Sequence, residues 1–390
     1  MSIFANLWKI YIYKFLSEFY LIIPILIPYY QSHHLSTTQI YVVQATYALA
    51  VLLLEVPSGY LSDRIGRKHT LVLGALFFPI GIGVYMLGTG VWHFILAELF
   101  IAGANSMRSG CDSALIYDTL LSMKRESDYK KYEGRSIFFT RIGTATSSIL
   151  GGLLALVSLK LPFLINLLTV SAMLPVALLL VEPERRRRET VNPWRDILAI
   201  SRFSFNHPRI RFFIFYNAVI MCTNIIALWA YFIYYREAGI HFGLFGLIFA
   251  VYQLASALGS SRAHMLEEKI GPDRILLMVF FFPVIYFSLA AAKTPFFIPL
   301  ILFGAFLWGT AFPIVLDHIN RDITSDVRAT VISISFMSGS FLYVLAAPLF
   351  GWLTDQTSLS VAFTVLGGLV LTAAFLLLIS WKTLRHKENF

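Results

Sequence analysis

Residues 58–70 read SGYLSDRIGRKHT, between the apolar runs IYVVQATYALAVLLLEVP (40–57) and LVLGALFFPIGIGVYMLG (71–88). Asp63, Arg64, Arg67 and Lys68 fall within six residues, with Gly59 and Gly66 beside them. Each flanking run is long enough to cross a hydrocarbon core of about 30 Å as a helix. A helix satisfies its own backbone there, where no water can. The charged stretch therefore reads as the turn of a membrane hairpin.

The rest of the chain repeats this pattern. Of 390 residues, 57% are hydrophobic and 15% aromatic, with only 14% charged, where a soluble chain has about a quarter. Mean hydropathy is +0.71. A soluble domain could not bury so much apolar surface, so the chain reads as an all-α polytopic membrane protein. Twelve spans are expected, at 10–30, 39–61, 69–89, 92–120, 135–158, 161–181, 210–235, 242–262, 274–293, 296–318, 327–352 and 358–381. The first is not expected to be a cleavable signal peptide. Its core is too long, it contains Lys14 and Glu18, and no small-residue cleavage site follows.

Lysine and arginine, counted loop by loop, alternate in density. One side of the twelve-span layout collects 25 of the 31, eight of them in 182–211. The positive-inside rule then places both termini in the cytoplasm, in a bacterial inner membrane. The same bias explains the net charge of +9 without a nucleic-acid partner. Cys111 and Cys222 both fall inside spans and read as inert buried thiols. No metal-ligand spacing, nucleotide loop or serine–histidine motif is present, so no cofactor and no enzymatic reaction are expected. His33-His34 lies in a short loop without a partner pair.

The longest polar stretch, 181–209, divides the chain six spans plus six. This gives an N-terminal bundle (1–181), a linker (182–209) and a C-terminal bundle (210–390). Within the linker, Trp194, Ile197, Leu198 and Phe205 share one helical face, as in a helix lying on membrane lipids. The halves echo each other: Asp63-Arg64-Ile65-Gly66 returns 205 positions later as Glu268-Lys269-Ile270-Gly271. Acid, base, isoleucine and glycine reappear in order between a second and a third span. A duplicated six-helix unit is the layout of an alternating-access carrier.

Gly59, Asp63, Arg64, Gly66, Arg67 and Lys68 match the pattern G-x-x-x-D-R-x-G-R-R/K at every defined position. The chain thereby resembles the major facilitator superfamily, whose loop between spans 2 and 3 carries that signature. The resemblance implies twelve helices in two pseudo-symmetric bundles, working as a monomer. It implies a conformational latch, with Asp63 holding the two halves and Arg64 and Arg67 reaching Asp118. Gly59 would press the second helix on a neighbour, and Gly66 would let the backbone turn sharply. In the second copy Pro272 and Asp273 replace Arg67 and Lys68, and His264 stands where a glycine would. The latch is therefore expected to be asymmetric.

Charges inside spans cost at least about 2.5 kcal/mol each, and so read first as functional. Glu18, Glu55 and Asp112 are three such acids, and Arg108 and Arg141 two such bases. Arg108 and Asp112 lie one helical turn apart and would share a face. Two arginines neutralise two carboxylates, which leaves one acid to load and release a proton. Cavity-lining acids in span 1 often have that role in the superfamily, which makes Glu18 the first choice, Asp112 the second and Glu55 the third. Glu55 and Arg141 fit equally a buried network that only holds helices together. Arg108 matches the span 4 arginine of proton-coupled antiporters, where it would tune the acid or bind an anionic substrate. Gly143, Gly151 and Gly152 keep the spacing of the antiporter motif of span 5, with Ser147 and Ser148 in place of its Gly-Pro. Close packing against span 8 explains the same small residues.

The C-terminal spans carry polar and aromatic groups instead: Asn217, Asn224, Trp229, Tyr231, Gln253, Trp308 and Tyr343. Asn217 and Asn224 are the best substrate-binding candidates there, because buried amides need partners. Asp317-His318 reads as gate or loop chemistry. The expected partners are a small organic solute, protons and membrane lipids. The exporter resemblance favours efflux, whereas Arg108 and Arg141 would suit uptake of an organic anion or siderophore. A lipid flippase on the same fold is a further alternative, and the residues leave the choice open.

Overall fold

The computed structural model describes residues 3–183, 193–321, 323 and 327–388. Every regular element among them is a helix. Eleven helical stretches among the described residues are long and apolar enough to cross a bilayer. The remaining crossing, the fourth, is built from two shorter helices, Val91–Arg108 and Cys111–Ser122. The protein is thus an all-α, multi-pass integral membrane protein with twelve crossings in two sets of six.

The charged turn forms as its glycine dictates. The second span, Thr37–Ile65, ends at Gly66, whose φ of +112° is open to glycine and costly for other residues. The third span, Arg67–Leu87, starts at once. The repeat position Gly271 has φ +93° and likewise turns the eighth span, Phe245–Ile270, into the ninth. The two turns share a backbone geometry 205 positions apart, as an internal duplication requires.

The first and fourth spans leave helical backbone in mid-membrane, which the hydropathy pattern hides. In the first, the helix Asn6–Glu18 ends at Phe19, whose ψ of 65° leaves the helical region. The chain resumes as a short 3-10 turn, Ile23–Ile25, and a second helix, Leu26–Ser32. Pro24 and Pro28 cause this, since neither can donate to the carbonyl four residues back. The fourth span breaks at Ser109–Gly110, where Gly110 takes φ +68°. Arg108 and Asp112 therefore belong to different helices, and the shared face expected for them does not exist.

The fifth span, Tyr129–Ala155, supports the first break. A Cβ on Gly151 would lie 2.0 Å from the carbonyl oxygen of Leu21, and one on Gly143 2.8 Å from that of Phe15. Gly152 packs on Gly243 and Gly246 at the start of the eighth span, the contact expected for these small residues. Ser147 Oγ donates to Glu18 O at 3.4 Å, and Asn166 Nδ2 donates to Phe19 O at 3.2 Å. These bonds take up carbonyls that the broken helix leaves open. Gly59, in contrast, stands in open space with no atom within 4 Å of a Cβ. Close packing is not its reason, which corrects the expectation above.

The chain packs as two compact units. One comprises Met1–Leu35, Thr46–Thr190 and Phe242–Leu247; the other comprises Ser36–Ala45, Val191–His241 and Ile248–Phe390. Ser36–Ala45 belongs with the second because Asp355 caps the start of the second span. Its carboxylate accepts from Thr37 N at 2.9 Å and from Thr38 N at 2.7 Å. A helix does form in the linker, at Pro193–Asn206. The side chains of Trp194, Ile197 and Leu198, and the Arg185–Arg188 run, lie outside the described residues. Arg202, Phe203 and Phe205 are exposed.

Candidate functional site

The two breaks meet in an ion pair. Glu18 is the last residue of its helix and Arg108 the last of its own. Arg108 Nη1 lies 2.6 Å from Glu18 Oε1, with the two side chains 20% and 29% exposed. The same guanidinium donates to Ser17 Oγ at 2.8 Å and to Asn105 Oδ1 at 3.3 Å. Asn105 Nδ2 in turn donates to the Tyr47 hydroxyl at 3.1 Å, which brings in the second span. Unwound backbone at membrane depth with an ion pair at its edge is how many carriers build a binding site.

Asp112 has a different partner. Lys14, one turn before Glu18, lies 3.5 Å from Asp112 and 3.1 Å from Glu133. It also donates to Ser136 Oγ at 3.0 Å, and only 7% of its side chain is exposed. Asp112 sits in the first turn of Cys111–Ser122 and accepts from Ser113 N at 2.7 Å. The carboxylate thus lies between the N-terminal end of that helix and Lys14. One lysine serves two carboxylates here, in a ladder from Glu18–Arg108 toward the basic end of the protein.

The other candidates separate. Glu55 is exposed and accepts from Ser109 Oγ at 2.9 Å, beside the second break. Arg141 is exposed and makes no ion pair or hydrogen bond among the described residues, so it is not part of a buried network. In the second unit, Asn217 Nδ2 donates to Ser335 Oγ at 3.0 Å, and Asn224 Oδ1 accepts from the Tyr252 hydroxyl at 2.8 Å. Both amides are buried and bonded within the protein. His318, also buried, lies 3.1 Å from Glu267 and stacks on Phe213. Cys111 and Cys222 are buried free thiols.

At the charged turn, Arg67 is the organiser. Its guanidinium lies 2.8 Å from Asp63 and 3.6 Å from Asp118, and it donates to Ser62 Oγ at 2.8 Å. Arg64 makes no such bond among the described residues, so of the two arginines expected at Asp118 only Arg67 approaches it. Glu182 was not foreseen. Its carboxylate accepts from the backbone N–H of Arg67 at 2.9 Å and of Lys68 at 2.7 Å, capping the third span. A Cβ on Gly66 would come within 2.8 Å of that carboxylate, a second reason for glycine there. In the second copy Asp273 instead accepts from Trp381 Nε1 at 3.0 Å and pairs with Arg385 at 2.7 Å. The two turns are thus held by different partners.

Two further acids escaped sequence reasoning: Glu133, two residues after Lys130-Lys131, and Glu98, inside the apolar run FILAELFIAG (94–103). The rule that singled out Glu18 applied equally to Glu98.

Broken helices around a half-buried ion pair, in a twelve-crossing all-α chain, define a multi-pass membrane carrier. The chain belongs to the Major Facilitator Superfamily, whose model matches residues 15–341. A curated relative, "Multidrug resistance protein 2" of Bacillus subtilis (strain 168), is 24% identical over 147 residues, 37% of this chain and 35% of that protein. The match therefore spans about a third of that relative's length. Among solved structures, the nucleoside transporter NupG superposes with a TM-score of 0.80 at 14% identity, covering 98% of this chain and 100% of that one. A POT family transporter in complex with a thioalcohol-conjugated peptide gives 0.72 at 13%, covering 97% and 96%. A bacterial homologue of the human lysosomal transporter Spinster gives 0.71 at 14%, covering 97% and 94%. At such identities the likeness is one of fold alone.

Proposed function

We propose that this protein is a proton-coupled secondary carrier that exports a small organic solute by alternating access, with its basic end and both termini in the cytoplasm. The observation that carries the reading is the Glu18–Arg108 pair at the paired breaks of the first and fourth spans. A proton arriving on Glu18 removes the charge that holds Arg108. The guanidinium then turns to Ser17, Asn105 or a solute, and loss of the proton restores the pair. Proton and solute thus act through one arginine, each changing its availability to the other, which is a coupling free energy in local form. Efflux is supported by the glycine spacing of the fifth span and by the printed name of the curated relative.

Arg108 also favours a second reading, in which the solute is an organic anion taken up with a proton. Wild-type protein in liposomes with an imposed pH gradient tests both. Export predicts that tetraphenylphosphonium moves against the proton flux, and that collapsing the gradient stops it. Movement of an aromatic carboxylate with the protons would replace export by anion uptake. Indifference of every probe to the gradient would sink proton coupling.

A further inference from the structure

Glu98 lies in the half of the fourth span away from the charged turn, about 15 Å along the helix from Arg108 at 1.5 Å per residue. It is 4% exposed, and the Tyr30, Tyr85 and Phe94 side chains around it have no exposure at all. The Tyr85 hydroxyl donates to Glu98 Oε1, and the Tyr30 hydroxyl lies 3.3 Å from the same oxygen. The two hydroxyls also bond each other. The rings of Phe94 and Phe163 close the cluster, the first stacked on Tyr85 at 5.6 Å and the second tilted against it at 5.8 Å between centroids.

The titratable groups facing Glu98 are Tyr85 from the third span, Tyr30 and Tyr20 from the first, and Tyr47 from the second. His33, at the end of the first span, meets Phe94 edge to face. The sixth span contributes the Phe163 ring. Tyr47 lies within the electrostatic reach of Glu98, Arg108 and Glu18 at once. With Asn105 it bridges this cluster toward the ion pair.

A carboxylate taken out of water costs several kcal/mol even after relaxation, and neutralising it is the usual way out. Hydroxyl neighbours suit both of its states, because each hydroxyl donates to a carboxylate or accepts from a carboxylic acid. When Glu98 is charged, Tyr85 O–H points at Oε1. When a proton joins the carboxylate, the new O–H donates to a tyrosine oxygen, and Tyr85 re-aims its own hydrogen at Tyr30. Side chains covered this completely leave no space for an organic cation or a hydrated metal, whereas a proton needs none.

We infer that Glu98, within its shell of Tyr85 and Tyr30, is a second proton-binding site of this carrier, distinct from Glu18 and placed nearer the opposite face. Its use in transport rests on the proton-coupled reading; its protonation does not. The experiment is an infrared pH titration of the purified full chain, as wild type, Glu98→Gln, Glu18→Gln and Tyr85→Phe. The expected result is a carboxyl stretch of a poorly hydrated acid that grows as pH falls. It persists in Glu18→Gln, vanishes in Glu98→Gln, and shifts in frequency or midpoint in Tyr85→Phe, which keeps the ring's volume. Spectra of wild type and Glu98→Gln that do not differ, or differ equally at every pH, would overturn the inference. So would a band that Tyr85→Phe leaves untouched, which decides the matter if Glu98→Gln does not fold. Absence of proton-driven transport in liposomes would leave the infrared result standing, so the two failures are told apart.

Discussion

Gly151→Val is expected to abolish folded, monodisperse protein. The first added carbon would lie 2.0 Å from the carbonyl oxygen of Leu21 and 2.9 Å from its carbon. That neighbour is backbone, not a flexible tip, so the fifth span or the broken stretch of the first must move. Overpacking a tight interior costs about 1–3 kcal/mol per added group and more when backbone has to yield. Valine adds two methyls beyond the clash, against a total stability of about 5–15 kcal/mol. The movement would also misplace Glu18, three residues before Leu21. Gly246→Val should fail in the same way, since its Cβ would lie 2.0 Å from Ser148 O. Gly59→Ala is the control: its Cβ meets nothing within 4 Å. A helical glycine changed to alanine gains about 0.5–1 kcal/mol. Size-exclusion profiles and thermal unfolding in detergent check all three, and a stable, monodisperse Gly151→Val would refute the packing described.

Lys14→Met is the second large effect. Methionine matches the length of the lysine stem but leaves Asp112 and Glu133 buried without their shared cation. Breaking a buried ion pair by removing one partner costs about 3–5 kcal/mol, most of it from the stranded charge. The loss should fall as pH drops, because protonating the stranded carboxylates removes the penalty. Adding Glu133→Gln and Asp112→Asn should recover much of it, since an apolar or neutral replacement of a whole buried pair is often harmless. The measurement is apparent melting temperature against pH for the single and triple variants. A Lys14→Met protein as stable as wild type at neutral pH would show the cluster to be hydrated and unimportant.

Apolar length, the loop charges and the SGYLSDRIGRKHT turn carried the fold, down to the repeated glycine turns at 66 and 271. The site was legible only in its inventory. Spacing placed Glu18, Arg108 and Asp112 in the membrane, but pairing depends on where helices break. Pro24 and Pro28 were visible signs of the first break; Gly110 is one glycine among 24 and advertises nothing. With the fourth span read as one helix, Arg108 and Asp112 became neighbours, and Lys14 was left without a role. Gly59 looked like a packing residue because family position, not local contact, suggested it. Glu182 could not be found from sequence, since its bond to the third span joins positions 115 residues apart.

The most direct test of the central claim is transport by Glu18→Gln in liposomes, with exchange and gradient-driven movement of one solute measured side by side. A neutral amide at position 18 cannot take up or release a proton, yet keeps the volume of the acid. The account predicts that solute exchange continues while the response to a pH gradient disappears. Gradient-driven transport undiminished in Glu18→Gln would contradict it, and would move the coupling site away from the Glu18–Arg108 pair.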